Sequence, residues 1–475
     1  MERVECFKSY DIRMTGEEQG PENLDRVCNA AIAYLQTKNA PGIVLGADMR
    51  ITSQIIKNSL LGRALSSGMN VISVQDTKNN ACSTPLFNYT CSLNPENVGV
   101  MITASHNPKE YNGLKVNDTR CRSIGYNEGL YVCEDLYKRR TKPTVKSATG
   151  NLTNTYPLEE MIIETVELLG MKQDSLKNVK IAFDCANSMG TIDAKPFFNY
   201  LGAEVKYVND WLDGTFPAHE SNPMIEKNLK TLQSLVKTDN FLCGATGDGD
   251  YDRIGIIDEE GNPLFAHNMA TLAVREIINL AKVAEVHAIY ATTMGRSFRD
   301  ALQSFGGQAH RVPVGRINII NKGLELMKQN KTVLIGAEGS NHIMFPDKRG
   351  NFYENILMAT GAIISYCKRQ DKQLSNVVEQ TNNYAFLGEQ NFEISKKNTA
   401  KLRQYIENNH KNILDGKLSK DDGILVEDEN SWFSLRESNT EPLARLNVES
   451  DSIEKTNKIA KDITEVINSF GGSRK

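Results

Sequence analysis

One pattern occurs three times along this chain, and it limits the fold more than any other feature. Each copy begins with a short apolar strand that runs into a polar loop: Gly42-Ile-Val-Leu-Gly-Ala-Asp, Lys180-Ile-Ala-Phe-Asp-Cys-Ala and His287-Ala-Ile-Tyr-Ala-Thr-Thr. A glycine and a second strand come next: Gly68-Met-Asn-Val-Ile-Ser-Val, Gly202-Ala-Glu-Val-Lys-Tyr-Val and Gly306-Gly-Gln-Ala-His-Arg-Val. That glycine stands where a helix must end and the chain turn into a strand, a position that favours left-handed backbone. A third strand then empties into an unusually polar loop: Val98-Gly-Val-Met-Ile-Thr-Ala-Ser, Phe241-Leu-Cys-Gly-Ala-Thr-Gly-Asp and Thr332-Val-Leu-Ile-Gly-Ala-Glu-Gly. Short apolar runs alternating with longer helical patterns read as α/β units on mixed or parallel sheets. Ligand sites in such sheets gather beyond the carboxyl ends of strands. Three similar domains would therefore each present one distinctive loop. Strand and glycine echoes in any α/β protein are the plainer explanation; the three parallel series favour a repeat.

After about residue 370 the pattern changes. Asn398 to Asn409 and Ser452 to Phe470 read as helices, with strand-rich Gly423-Ile-Leu-Val-Glu and Trp432-Phe-Ser-Leu-Arg between them. This predicts a smaller α+β domain with its own polar loop, Arg436 to Pro442. At roughly 150 residues per domain, 475 residues suggest three domains or four small ones. Composition excludes several classes. Hydrophobic residues at 40% and charged residues at 24% are ordinary for a globular protein. No run approaches the roughly 18 apolar residues of a spanning helix. A net charge of −4 does not suit a coat for nucleic acid or for an anionic membrane. Nine scattered cysteines without a C-x-x-C pair fit free thiols, not a disulfide framework or a zinc cage. The charged N-terminus lacks an apolar stretch, so the expectation is a cytoplasmic protein without a secretory signal.

The chemistry resides in four loops. In the first, Thr103-Ala-Ser-His-Asn-Pro-Lys-Glu-Tyr-Asn-Gly-Leu-Lys, a tight turn offers the Ser105 hydroxyl outward. His106 is adjacent, and neighbouring side chains point apart, so the two make a poor Ser–His dyad; a turn or cap serine remains the plain reading. The second loop is Gly247-Asp-Gly-Asp-Tyr-Asp-Arg. Asp248, Asp250 and Asp252 repel when brought together and so need a cation, with hard oxygen ligands suiting Mg²⁺ or Ca²⁺; a solvated acidic turn is the plainer alternative. An EF-hand is excluded because Arg253 stands where that loop needs glycine and the flanks read as strands. The third loop, Gly336-Ala-Glu-Gly-Ser-Asn-His, offers Glu338, Ser340 and His342 to hydroxyls, or is a capped helix start. The fourth, Arg436-Glu-Ser-Asn-Thr-Glu-Pro, is an anion nest or an ordinary turn before Pro442. A hydroxyl nucleophile, a cation cage, a polyol loop and a phosphate nest together suggest phosphoryl transfer on a phosphorylated polyol.

In this order the four motifs resemble the α-D-phosphohexomutase superfamily, and Phe7-Lys-Ser-Tyr-Asp-Ile-Arg with Ser438-Asn-Thr-Glu-Pro is most similar to its phosphomannomutase/phosphoglucomutase branch. The resemblance implies three similar mixed-sheet α/β domains (1–150, 151–257, 258–370) and a smaller α+β C-terminal domain (371–475) around a central cleft. It implies a hexose 1-phosphate/6-phosphate mutase that works through phosphorylated Ser105, with a bisphosphorylated hexose as intermediate and activator. Mg²⁺ would be held by Asp248, Asp250, Asp252 and Ser105. Lys115 would transfer protons, and Arg13 and His106 would line the reaction centre. Glu338, Ser340, His342 and Arg316 would face the sugar, and Arg253, beside the metal, would hold a phosphate or the sugar. Arg436, Ser438, Asn439 and Thr440 would grip the non-reacting phosphate. The partner would be a phosphosugar and neither nucleic acid nor membrane, and the enzyme a monomer or dimer.

Some positions depart from the family pattern: Met14, Asn341, Glu437, Arg316 where histidine is common, and Thr293 near a usual lysine. The last two, in the third domain's sugar-facing segments, bear on substrate preference more than on reaction class. Mutases for glucosamine or pentose phosphates, and a non-catalytic sugar-phosphate binder, are the alternatives.

Overall fold

The computed structural model describes residues 3–281, 285–437 and 443–475. Four sheets follow one another along the chain. The first three share a core built in the order that the repeat predicts. In the first sheet, Asn70–Val74, Gly42–Ala47 and Val98–Ile102 lie side by side in parallel, and Asn112–Asp118 joins antiparallel to the last of them. Glu204–Val208, Lys180–Asp184, Cys243–Gly247 and Ile254–Ile257 repeat this arrangement. Gln308–Val312, Val286–Ala291, Thr332–Ala337 and Ile343–Pro346 repeat it again. The parallel strands have helices packed against them, so strands such as Gly42–Ala47 are buried along their whole length and read as unbroken apolar runs. Gly68, Gly202 and Gly306 each adopt the left-handed conformation, with φ of 74°, 71° and 76°. In every copy the distinctive loop joins the third parallel strand to its antiparallel neighbour.

The first sheet is extended by Ile12–Met14 at one edge and Leu152–Thr155 at the other. The fourth sheet is antiparallel, with Ile424–Glu427, Ser431–Glu437 and Leu443–Ser450 at its centre. It carries the helices Lys396–Asn409 and Ile453–Ser469, each opened by a serine cap, Ser395 and Ser452. The fold is thus three α/β domains followed by a smaller C-terminal domain.

Apolar packing divides the molecule differently. One cluster runs from the second and third sheets into one face of the first, through Phe87, Phe183, Phe197 and Phe352. The fourth domain has a core of its own, built on Phe392, Phe433 and Leu446. All nine cysteines are free and buried. Among the described residues no helix is long and apolar enough to cross a membrane.

Candidate active site

Loop one folds onto a buried arginine. Nη1 of Arg50 donates to the carbonyls of Pro108 (2.7 Å) and Tyr111 (2.9 Å), and Nη2 to those of Ser105 and Asn107 (both 2.7 Å). Its Nε lies 3.2 Å from Asp48, which in turn accepts from the Ser53 hydroxyl at 2.6 Å. One guanidinium thus satisfies four carbonyls that a loop buried against protein would leave without water. Ser105 is left-handed, with φ of 52°, a conformation that costs a non-glycine residue free energy and is kept only where its surroundings enforce it. This turn brings His106 Nδ1 within 3.3 Å of Ser105 Oγ. The expectation that adjacent side chains diverge fails here, because the left-handed backbone rotates the two toward one another.

Ser105 Oγ donates to Asp248 Oδ2 at 2.6 Å. The two loops can meet this closely because Gly249 has no Cβ; one there would lie 2.4 Å from the Ser105 carbonyl. Asp248, Asp250 and Asp252 are fully buried, and their carboxylates bring one oxygen each within 4.8 Å of the others. Oδ1 of Asp250 makes no hydrogen bond. Three converging hard donors, one with an unpartnered buried oxygen, fit a divalent cation, so the cluster could hold a metal. Lys115 Nζ lies between two of the three, 2.5 Å from Asp250 Oδ2 and in contact with Asp252. The Thr84 hydroxyl, at the start of the helix Thr84–Leu93, donates to Asp250 at 2.5 Å.

The charges respond to this crowding. Burial, and then Asp252 and Asp250, push Asp248 up to about 7. Burial works against ionisation of Asp252 too, but Lys115 and His342 hold its carboxyl well below the usual range. Lys115 is fully buried, yet Asp250 and Asp252 raise it. Burial, followed by Arg253 and Arg13, holds His106 well below its ordinary value, so it is neutral at pH 7.

Loop three reaches the same centre. His342 Nδ1 lies 2.6 Å from Glu338 and its Nε2 3.3 Å from Asp252 Oδ1. Despite burial these carboxylates, Asp252 foremost, lift His342 to about 9, and Glu338 falls to about 2 through its contact with His342. Ser340 also donates to Glu338, and Gly315 N donates to its other oxygen at 3.1 Å. Asp252, His342 and Glu354 approach one another as well, but their charges are already matched. His342 faces Asp252 and Glu338, and Arg316 Nη1 sits 3.2 Å from Glu354.

The expected residues therefore divide into groups. Ser105, His106, Lys115, the three aspartates, Glu338, Ser340 and His342 form one connected network. Arg253 joins it at Asp248: its backbone amide donates to Oδ1 at 3.1 Å and its Nε lies 3.8 Å from Oδ2. Arg13 supports loop one through Asn107 Oδ1 at 2.8 Å. Arg316 is buried against Glu354 and the Ser123 hydroxyl. Arg436 stands apart, in a cavity of about 290 Å³ between the third and fourth domains, lined also by Tyr10, Val314, Arg403 and Glu437. Ser438, Asn439 and Thr440 lie outside the described residues. Sequence reasoning missed Arg50, Asp48 and Thr84. Asp48 ends a repeat strand, and an Asp-x-Arg at a strand's carboxyl end was the available signal.

Comparison with known proteins agrees with this layout. Residues 4–133, 160–261 and 267–384 match phosphoglucomutase/phosphomannomutase alpha/beta/alpha domains I, II and III, and residues 389–466 match the C-terminal domain. A phosphomannomutase of Methanocaldococcus jannaschii is 32% identical over 95% of both chains. A phosphoglucosamine mutase of Methanococcus aeolicus is 24% identical over 97% of both. The crystal structure of a phosphoglucomutase/phosphomannomutase family protein from Burkholderia thailandensis superposes with a TM-score of 0.83 at 20% identity, covering both chains completely.

Proposed function

Because this chain belongs to the phosphoglucomutase/phosphomannomutase family, whose four domains it carries in order, we propose that it interconverts the 1- and 6-phosphates of mannose or glucose through a phosphoserine at Ser105. The observation that most supports this reading is the Ser105 hydroxyl 2.6 Å from Asp248 inside a buried triplet of carboxylates. A sugar hydroxyl attacks the phosphorus of the phosphoserine, the bond from phosphorus to Oγ breaks, and a bisphosphorylated hexose is formed. After the sugar turns over, Oγ attacks the other phosphate and regains its phosphoryl group. Asp248, Asp250 and Asp252 would hold Mg²⁺, which when bound neutralises charge on the transferring group. Proton transfer falls to His106 and Lys115: a neutral imidazole accepts and an ammonium donates. Arg50 holds loop one still, so that Oγ does not drift from the reacting phosphorus.

Arg436 anchors the phosphate that does not react, together with the hydroxyls and amides of residues 438–440. Glu338 meets the sugar. A carboxylate has about four acceptor positions, and Ser340, His342 and Gly315 already occupy three, which leaves one for a hydroxyl in either pose.

The experiment is a coupled assay with Mg²⁺ and a trace of bisphosphate, comparing mannose 1-phosphate, glucose 1-phosphate and glucosamine 1-phosphate. Turnover of the first two is expected. Turnover of the amino sugar alone would move the assignment to the glucosamine branch, which the Methanococcus aeolicus relative represents. No turnover by folded protein would leave only a sugar-phosphate binder.

A further inference from the structure

Asp422 belongs to none of the four loops, yet it contacts both Arg436 and the segment whose next amide, Gly315, donates to Glu338. It lies in the turn before the strand Ile424–Glu427, on the fourth domain's side of the cavity that holds Arg436. Its Oδ1 is 2.9 Å from Nε of Arg436. Its Oδ2 accepts from the Thr292 hydroxyl at 2.5 Å and from the Val314 amide at 2.8 Å, both in the third domain. The carbonyl of Val314 accepts from the Tyr10 hydroxyl at 3.0 Å, and the amide of the next residue, Gly315, donates to Glu338. One carboxylate thus links the guanidinium of the fourth domain to the short segment that supports Glu338, with Tyr10 of the first domain closing the junction.

Taking the mutase reading as its premise, we propose that Asp422 is a positioning residue that fixes Arg436 at its Nε corner and the Val314–Gly315 segment at its amide, so that the phosphate anchor and Glu338 are set relative to one another. An aspartate beside a phosphate site needs a reason, since its charge repels the ligand. Here Oδ1 forms an ion pair at the Nε corner of Arg436 and Oδ2 accepts from Thr292 and Val314, so a phosphate dianion would approach the guanidinium end-on, at its Nη1–Nη2 edge. The competing view, that Asp422 is a mere repulsive neighbour, gives the opposite sign for substrate affinity when the charge is removed.

The test uses the full chain with Asp422→Asn, Asp422→Ala and Thr292→Val. The first two remove the charge, and asparagine also turns an NH₂ toward an existing donor. The third leaves the Arg436 contact intact and removes one of the two donors on Oδ2. Kinetics with the phosphosugar that the wild type turns over are read beside amide exchange at Val314 and Gly315, with thermal unfolding as a check on folding. For both Asp422 variants the expected result is KM raised about tenfold, kcat within about threefold, and Val314 exchange faster by about tenfold. Thr292→Val is expected to give a smaller rise of KM in the same direction. A KM that falls or stays unchanged, with wild-type exchange at Val314, overturns the proposal. A wild-type chain that turns over no phosphosugar overturns the mutase reading instead, and the exchange measurement still decides whether Asp422 holds the segment.

Discussion

The two ends of the substrate site are built on opposite plans. At the reaction end one face of the first domain shares an apolar core with the second and third, and buried polar contacts cross the domain boundaries: Ser105 to Asp248, Thr84 and Lys115 to Asp250, His342 to Asp252. At the anchoring end the fourth domain has a core of its own, the cavity is about 290 Å³, and the domain meets the third through charged contacts: Asp422 with Arg436 and Val314, and Glu427 with Arg296 and Arg311. Under the proposed mutase reaction, a phosphoryl group would meet the same atoms in both half-reactions, which favours a preorganised centre. The far end would receive a substrate in two orientations, which favours a looser grip through charge.

This contrast can be broken by mutation, and the largest effect belongs to the proposed nucleophile. Ser105→Ala is expected to lower kcat by at least about 10³-fold while KM stays within a few fold. Steady-state kinetics check this, and retained turnover would remove the reaction end from its proposed place. Next is Arg50→Lys. A lysine keeps the charge but cannot donate to four carbonyls in a fixed fork, so kcat should fall about tenfold or more with KM little changed. Arg436→Ala sharpens the comparison from the other side: KM should rise about tenfold or more and kcat change less, because a charge-assisted contact to phosphate is lost. If kcat fell as steeply as KM rose, the two ends would not be separable.

The smallest effect lies away from both ends and concerns stability. Asp193, in the helix Gly190–Leu201, is fully buried, and burial pushes its carboxyl from the ordinary 3.8 up to about 7. The folded chain therefore holds this proton more tightly than the unfolded chain. Its contribution to stability is fully present below about pH 4 and is lost as pH rises through about 7. Asp193→Asn should therefore unfold several degrees above the wild type at pH 8 and close to it at pH 4, as followed by calorimetry at the two pH values. Equal differences at both would mean that Asp193 is not neutral in the folded protein.

Much of the fold was legible because buried parallel strands read as continuous apolar runs, and because a left-handed turn before a strand nearly demands glycine, as at Gly68, Gly202 and Gly306. The carboxylate triplet was legible because its members share one loop. Arg50 was not, since its partners are carbonyls 55 to 61 residues away and carbonyls carry no side-chain signature. Arg316 and His342 were expected to face the sugar, and the structure pairs them with Glu354, Glu338 and Asp252. A sequence shows which charges exist, whereas the fold decides which opposite charge each one meets. Asp422 had no motif around it and is visible only through the three groups that converge on its carboxylate.

The central claim is that Ser105 is the residue that carries the phosphoryl group. Mass spectrometry of the intact chain and its peptides, after incubation with a bisphosphorylated hexose and Mg²⁺, tests it most directly. The account predicts a species about 80 Da heavier, with the added group mapped to Ser105 and lost when unlabelled monophosphate is supplied in excess. A phosphoryl group mapped to another residue, or turnover of substrate by a chain that never acquires one, would contradict it.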